Sequence, residues 1–196
     1  MNKQQLLQTL KTHDFPRKIL EAFKKVPREK FIEEKYKPYA YEDIPLPIGG
    51  GATISQPYTI AFMLNLLELK EGQKILEIGS GSGYVLALLA EITKGKIFGV
   101  EIIKDLTEKS RNALKNYKNI KVINKSGKNG LSEYEPYDRI LVSATTQSAP
   151  NSIISQLNST GILVAPVKNS IIKIKKTNTK ITTQEFQGFV FVPMQD

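Results

Sequence analysis

Two short stretches of this 196-residue chain carry residue types that could do chemistry: LEIGSGSGY at 76–84 and TISQP at 53–57. In the first, Gly79, Gly81 and Gly83 let the backbone turn tightly and approach a ligand. The amides at the start of a following helix would offer donors to an anionic or carboxylate group. The spacing is G-x-G-x-G, and Tyr84 stands where a dinucleotide fingerprint has its third glycine, which disfavours NAD. No Gly-Lys is followed by Ser or Thr, so a P-loop is excluded. Glu101 lies 18 residues after Gly83, at the end of the next apolar run, where a carboxylate can accept both hydroxyls of a ribose. The pair points to a nucleoside with a compact charged tail; a structural turn and a solvated glutamate are the plainer alternative. In the second stretch, Ser55 before Gln56-Pro57 suits a helix N-cap.

The elements that must hold these residues follow from periodicity. Asp14 can cap a helix whose Ile19, Leu20 and Phe23 share a face, and VPRE ends it. His13 falls in a helix-to-helix turn before it. Residues 31–56, rich in Tyr, Pro and Gly, should wander over the surface. Pro57 suits a first helical turn, and Ile60, Met63, Leu64 and Leu67 give that helix a buried stripe. KILEI, IFGVEI, IKVIN, YDRILVSA and GILVAPV read as strands, with helices at VLALLAEI, DLTEKSRNALKNY and NSIISQL. IIKIK and FQGFVFVPM read as strands with no helix between them. The expected fold is α/β and doubly wound, with a mostly parallel sheet, an antiparallel C-terminal edge and an N-terminal helical extension. One domain should span 1–196, with the extension and substrate cleft in 1–56 and the core in 57–196.

Composition narrows the classes. The chain has no cysteine and one histidine, which excludes disulfides, thiolate chemistry and a histidine-cluster metal site. No apolar run approaches a membrane span, and MNKQQLLQTLK lacks the apolar core of a signal peptide, so a cytoplasmic monomer is expected. The net charge of +9 could suit nucleic acid. The densest basic stretch, KNSIIKIKKTNTK at 168–180, alternates lysine with isoleucine and has no aromatic residue for base stacking. A solvated hairpin is the preferred reading, and nucleic acid is disfavoured.

The acid-glycine motif E-x-G-x-G-x-G and the acid after the next strand resemble the S-adenosylmethionine site of Rossmann-like methyltransferases. YKPYAYEDIPLPIGGGATISQPYTIAFMLNLL, LEIGSGSGY, EPYDRILVSA, QLNSTGILVAPV and FVFVPM together resemble the protein-L-isoaspartate O-methyltransferase family. The resemblance runs from about Val26 to the C-terminus. It implies S-adenosyl-L-methionine as methyl donor, S-adenosyl-L-homocysteine as product, and isoaspartyl residues of damaged peptides and proteins as acceptors. Ser55 is then the essential hydroxyl beside the acceptor carboxylate. Asp43, Thr53 and Ile54 become candidate substrate contacts, although Thr53 suits a structural role and Asp43 a turn. Tyr39 and Tyr41 are further cleft candidates. The GGGA run should clear space for a foreign backbone. Glu77, Gly79, Ser80, Gly81, Ser82, Gly83, Tyr84, Glu101, Ser126 and Gly127 become the cofactor set.

One departure stands out. Where the family carries G-D-G-x-x-G, this chain has KSGKNG at 125–130, so Ser126 replaces the aspartate that accepts from the adenine amine. Losing a charge-assisted hydrogen bond should cost roughly 1–2 kcal/mol of affinity. The alternatives kept open are a methyltransferase acting on nucleic acid or another small acceptor, and a relative that binds without turnover. VSATTQSAP after the fourth strand lacks the Pro-Pro-aromatic motif of base methylation, which weighs against the first.

Overall fold

The computed structural model describes residues 1–145 and 151–191. The chain opens with two helices, α1 (Lys3–Lys11) and α2 (Arg17–Lys25). Asn2 and Gln5 form a reciprocal capping box on α1. The expected Asp14 cap on α2 is not formed: Pro16 is the N-cap, without a side-chain bond, and Asp14 takes φ 54° in the turn. His13 occupies that turn as expected, its ring edge-on to Tyr58 with centroids 4.7 Å apart. Residues 31–56 are more ordered than a wandering segment. They comprise 3-10 turns at Arg28–Phe31 and Glu34–Tyr39, then a hairpin of β1 (Leu46–Gly49) and β2 (Ala52–Ile54).

The core alternates strand and helix: α3 (Pro57–Leu66), β3 (Ile75–Ile78), α4 (Tyr84–Thr93), β4 (Ile97–Glu101), α5 (Lys104–Ala113), β5 (Ile120–Asn124), β6 (Tyr137–Val142) and α6 (Asn151–Ile154). Then β7 (Leu157–Val167), β8 (Ser170–Lys176) and β9 (Ile181–Gln187) follow as consecutive strands. The sheet order is β5-β4-β3-β6-β7-β8-β9, parallel from β5 to β7 and antiparallel thereafter. This is the doubly wound arrangement that the alternation predicts.

Alternate strand residues feed two cores. Ile75 packs with Leu64, Leu86 and Leu89 on one face, while Leu76 and Ile78 pack with Val142, Ile153 and Leu163 on the other. The apolar character of α4 on nearly all sides matches its burial between sheet and extension, and Phe23 of α2 meets Tyr84 edge-on. Sequence order reverses on either side of β3, so a crevice opens beyond the C-terminal ends of β3 and β6.

The last strand departs from expectation. It is ITTQEFQ, paired with β8 from Ser170 opposite Gln187 to Lys176 opposite Ile181, rather than FQGFVFVPM. Five of its residues in a row are exposed, so an apolar run could not reveal it; ladder hydrogen bonds to β8 hold it instead. Residues 192–194 of FVFVPM and 146–150 of VSATTQSAP lie outside the described residues. Strand β8 has neighbours on both sides and buries Ile171 and Ile174, so the lysine-isoleucine alternation is that of an internal strand in a hairpin. Among the described residues no helix is long and apolar enough to cross a membrane, and no His, Cys, Asp or Glu cluster could hold a metal.

Candidate active site

The glycine turn after β3 is held from three sides. Gly79, Gly81 and Gly83 have φ of 76°, 50° and 85°, a region that costs a side-chain-bearing residue. The amides of Gly79 and Ser80 bond to the Val100 carbonyl at 2.8 and 3.1 Å, fastening the turn to β4. Gly83 serves a packing need as well: a Cβ there would lie 2.4 Å from Ser110 Oγ and 2.7 Å from Leu114 Cδ1 on the α5 side. The third glycine thus lets α4 start against α5.

Glu101 closes the turn. Its Oε2 accepts from the Gly81 amide at 2.8 Å and its Oε1 from the Ile103 amide at 2.9 Å. A carboxylate offers about four lone-pair directions, so two remain for a ligand. Glu77 is the more unusual group, fully enclosed at the end of β3. Ser143 Oγ donates to its Oε1 at 2.7 Å, while Oε2 has no partner. Burial pushes the carboxyl up to about 8, opposed by the Ser143 hydrogen bond and reinforced by the nearby Glu101 charge.

These groups meet Ser55 around one space. A cavity of about 510 Å³ is bounded by Gly79, Gly81 and Glu101 on one side and by Thr53, Ser55 and Pro45 on the other. A recess of about 40 Å³, bordered by Glu77 and Ser82, shares Ser55, Gly81 and Ser143 with it. Val190 and Phe191 also border the cavity, although Val190 is 89% exposed.

On the side of the cavity that Ser55 borders, the structure places both Ser55 and Asp43. Ser55 is not the cap of α3: Gln56 holds the N-cap position without a side-chain bond. The carboxylate of Asp43 accepts from the Tyr58 amide at 2.8 Å and caps the helix from the preceding strap. Among the described residues the Ser55 hydroxyl has no hydrogen bond within the protein, while its carbonyl accepts from Arg28 Nη2 at 3.1 Å. Thr53 is exposed on the cavity wall, and Ile54 is core, 4% exposed. The three glycines of GGGA have φ of 101°, 60° and 76°. They form the β1–β2 turn, and a Cβ on Gly50 would meet Ile103 Cδ1 at 2.7 Å. The close approach at Gly50 is thus to Ile103, beyond β4, whereas an added Cβ on Gly49 would make only ordinary contact with Glu33 and Lys109.

The expected cofactor residues differ in placement: Ser80 and Tyr84 border the small recess beside Glu77 while also serving the core, and Ser126 borders neither space. The Tyr84 ring is 2% exposed, packed on Phe23 and Phe31, so it joins the extension to the core. Ser80 is buried with its hydroxyl unpartnered and close to Gly99. Ser126 does not border the cavity; its Oγ lies 3.4 Å from the Lys128 amide of its own loop. Gly127 does border it, and a Cβ there would lie 2.3 Å from Ile78 Cγ2. Gly130, at φ 70°, would place a Cβ 2.4 Å from Gln156. The two glycines that KSGKNG keeps are thus sterically required, whereas its first and second positions are not so constrained. Sequence reasoning missed Ser143 and Arg28. Ser143 directly follows the buried β6, beside β3, a placement that could have flagged it as the partner of a strand-end carboxylate.

Comparison with known proteins agrees with this geometry. The family model for protein-L-isoaspartate(D-aspartate) O-methyltransferase (PCMT) matches residues 1–196. A protein-L-isoaspartate O-methyltransferase of Methanothrix thermoacetophila is 40% identical, over 99% of this chain and 95% of that protein. One from Methanococcus aeolicus is 43% identical over 90% and 85%. Among known structures, a protein-L-isoaspartate O-methyltransferase superposes with a TM-score of 0.92 at 26% identity, covering all of this chain and 66% of that one. A Plasmodium falciparum structure named for the same activity, in complex with S-adenosyl-L-homocysteine, gives 0.85 at 27% identity over 100% and 99%. A crevice at the strand-order reversal, a glycine turn locked by Glu101 and a hydroxyl facing it across one cavity are thus the features of a chain that belongs to the protein-L-isoaspartate (D-aspartate) O-methyltransferase family.

Proposed function

We propose that this chain carries out its family's reaction, methylation of the free α-carboxylate of L-isoaspartyl residues, with Ser55 on the acceptor side and the Gly79–Gly83 turn on the donor side. The observation that carries this reading is the single cavity bordered by both. S-adenosyl-L-methionine, when bound, supplies an electrophilic methyl group on a sulfonium.

The residues present fit that cofactor. An enclosed carboxylate oxygen with no partner, Glu77 Oε2, suits the ammonium of an amino-acid tail, which would also relieve an otherwise costly orphan. The two remaining acceptor directions of Glu101 suit ribose hydroxyls. Ser126 turns toward its own loop, so adenine recognition falls to Gly127 and the apolar wall of Ile78, Val100 and Ile102.

On the acceptor side, Ser55 Oγ has no hydrogen bond among the described residues and can donate to one oxygen of the incoming carboxylate. That contact orients the other oxygen toward the donor side. Pro45, Ala52 and Phe191 help to exclude water, which favours a displacement in which opposite charges cancel. A strong general base is not required, in keeping with a chain that has no cysteine and whose one histidine, His13, does not border the cavity. We take the enzyme to act as a cytoplasmic monomer on isoaspartyl peptides and proteins; a cysteine-free chain suits a reducing compartment.

Methyl transfer to an isoaspartyl peptide, against its normal aspartyl twin, tests the reading. Activity on the first alone is expected; equal activity on both, or none on either, would reject it.

A further inference from the structure

We infer that Arg28 is a positioning residue for this reaction: its buried guanidinium ties residues 40–44 to the Ser55 backbone and so sets where the Ser55 hydroxyl meets the acceptor. The inference rests on the functional reading above.

Arg28 begins the 3-10 turn after Pro27 and is fully buried, 0% exposed. Nη1 donates to the carbonyls of Ala40 at 2.9 Å and Glu42 at 3.3 Å. Nη2 donates to Ile44 and to Ser55, both at 3.1 Å. Among the described residues no carboxylate lies within ion-pair distance, and Nε has no partner. Burial pulls the guanidinium down to about 10, opposed by Tyr84, Asp43 and Tyr41, so it stays charged at neutral pH.

A buried charge satisfied by carbonyls alone is a poor stabilising device, because an apolar side chain of similar volume avoids the desolvation cost. What the planar fork supplies is geometry: four acceptors from two stretches of chain, residues 40–44 and Ser55, are held around one rigid group. Ser55 needs that, since its side chain has no partner within the described protein and its position is set by its backbone. The same strap fixes the next turn through Asp43 on the Tyr58 amide at 2.8 Å. Ser55 is therefore held on its C-terminal side by the capped helix and at its own carbonyl by Arg28. Lysine would keep the charge, but three donors on one nitrogen cannot span four carbonyls around a planar fork.

The test uses the full chain and two variants, Arg28→Lys and Arg28→Ala, the second also with millimolar ethylguanidinium. Four quantities are read for each: kcat and KM on an isoaspartyl peptide, S-adenosyl-L-homocysteine affinity by calorimetry, and the midpoint of thermal unfolding. Arg28→Lys is expected to fold and to bind S-adenosyl-L-homocysteine within about threefold of wild type, with kcat down about tenfold or more. Ethylguanidinium is expected to restore part of the Arg28→Ala kcat. With an active wild type, three results overturn the inference alone: Arg28→Lys kcat within about twofold of wild type, kcat and cofactor affinity falling together, or an Arg28→Lys that does not fold. A wild type inactive on the peptide overturns the functional reading, and this inference with it.

Discussion

The donor and acceptor sides of the cavity are built by different means. The donor side is made of backbone: positive-φ glycines and amides bonded to Val100 and Glu101, at the ends of β3 and β4. The acceptor side is held by side chains that reach over long sequence intervals, Arg28 to Ser55 and Asp43 to Tyr58, across a segment of short turns and one small hairpin outside the main sheet. Sheet-end turns inherit the rigidity of the sheet. A strap must import its rigidity, so damage to the donor side should appear as lost stability, and damage to the acceptor side as lost turnover.

The sharpest way to break this contrast is Gly83→Ala. The change combines φ 85° with a Cβ 2.4 Å from Ser110 Oγ and 2.7 Å from Leu114 Cδ1. Left-handed strain and overpacking together should cost about 2–4 kcal/mol, read as a lower denaturation midpoint. Gly72 is the internal control, with φ 78° and nothing within 4 Å of an added Cβ. Gly72→Ala should lose only the strain, about 1–2 kcal/mol. Equal losses in the two variants would remove packing from the account.

Ser55→Ala probes the other side. With no hydrogen bond of the hydroxyl to lose among the described residues, stability should stay within about 0.5 kcal/mol of wild type. Turnover should fall about 100-fold if the hydroxyl orients the acceptor. S-adenosyl-L-homocysteine affinity should not change. An unfolding midpoint displaced by much more than the first figure would return Ser55 to a structural role.

The same contrast explains what could be read in advance. Strands β3 to β7 and the helices between them announce themselves by apolar runs and glycine turns, because both faces of a parallel sheet are covered. Ser55 and the glycine turn were legible as neighbours only through the family resemblance, since nothing in local periodicity brings residue 55 to residue 81. Arg28 read as part of a helix break because its four acceptors lie 12 to 27 residues away. Strand β9 was displaced in the reading because ITTQEFQ sits mostly in water and has no apolar alternation. Tyr84 enters the expected cofactor set through the resemblance; it borders the small recess, and its ring also meets Phe23 and Phe31, a packing role that its place beside the glycines does not announce.

Glu77 gives the donor side a pH signature. Its carboxyl rises from the ordinary 4.5 to about 8, chiefly through burial. In that window the folded chain keeps a proton that the unfolded chain has released. The group's contribution to stability is therefore full below about pH 4.5 and declines as pH rises toward 8. The ligand-free chain should lose up to roughly 1 kcal/mol per pH unit between pH 5 and 8 from this group, measured by denaturant titration. Glu77→Gln should flatten that slope, and an unchanged slope would exclude Glu77 as its source.

Asp43→Ala should produce the smallest effect and divides the comparison most finely. Removing a carboxylate cap from α3 should cost about 1 kcal/mol, because the Tyr58 amide loses its acceptor near the positive end of the helix. Asp43→Asn should recover most of it, since an amide oxygen can still accept from that N–H. If the cap also steadies Ser55, turnover should fall severalfold in Asp43→Ala and return in Asp43→Asn, with cofactor affinity constant. Should turnover instead stay low in Asp43→Asn while stability recovers, the carboxylate charge itself would be required. Asp43 would then belong with the groups that meet the substrate, not with those that hold the helix.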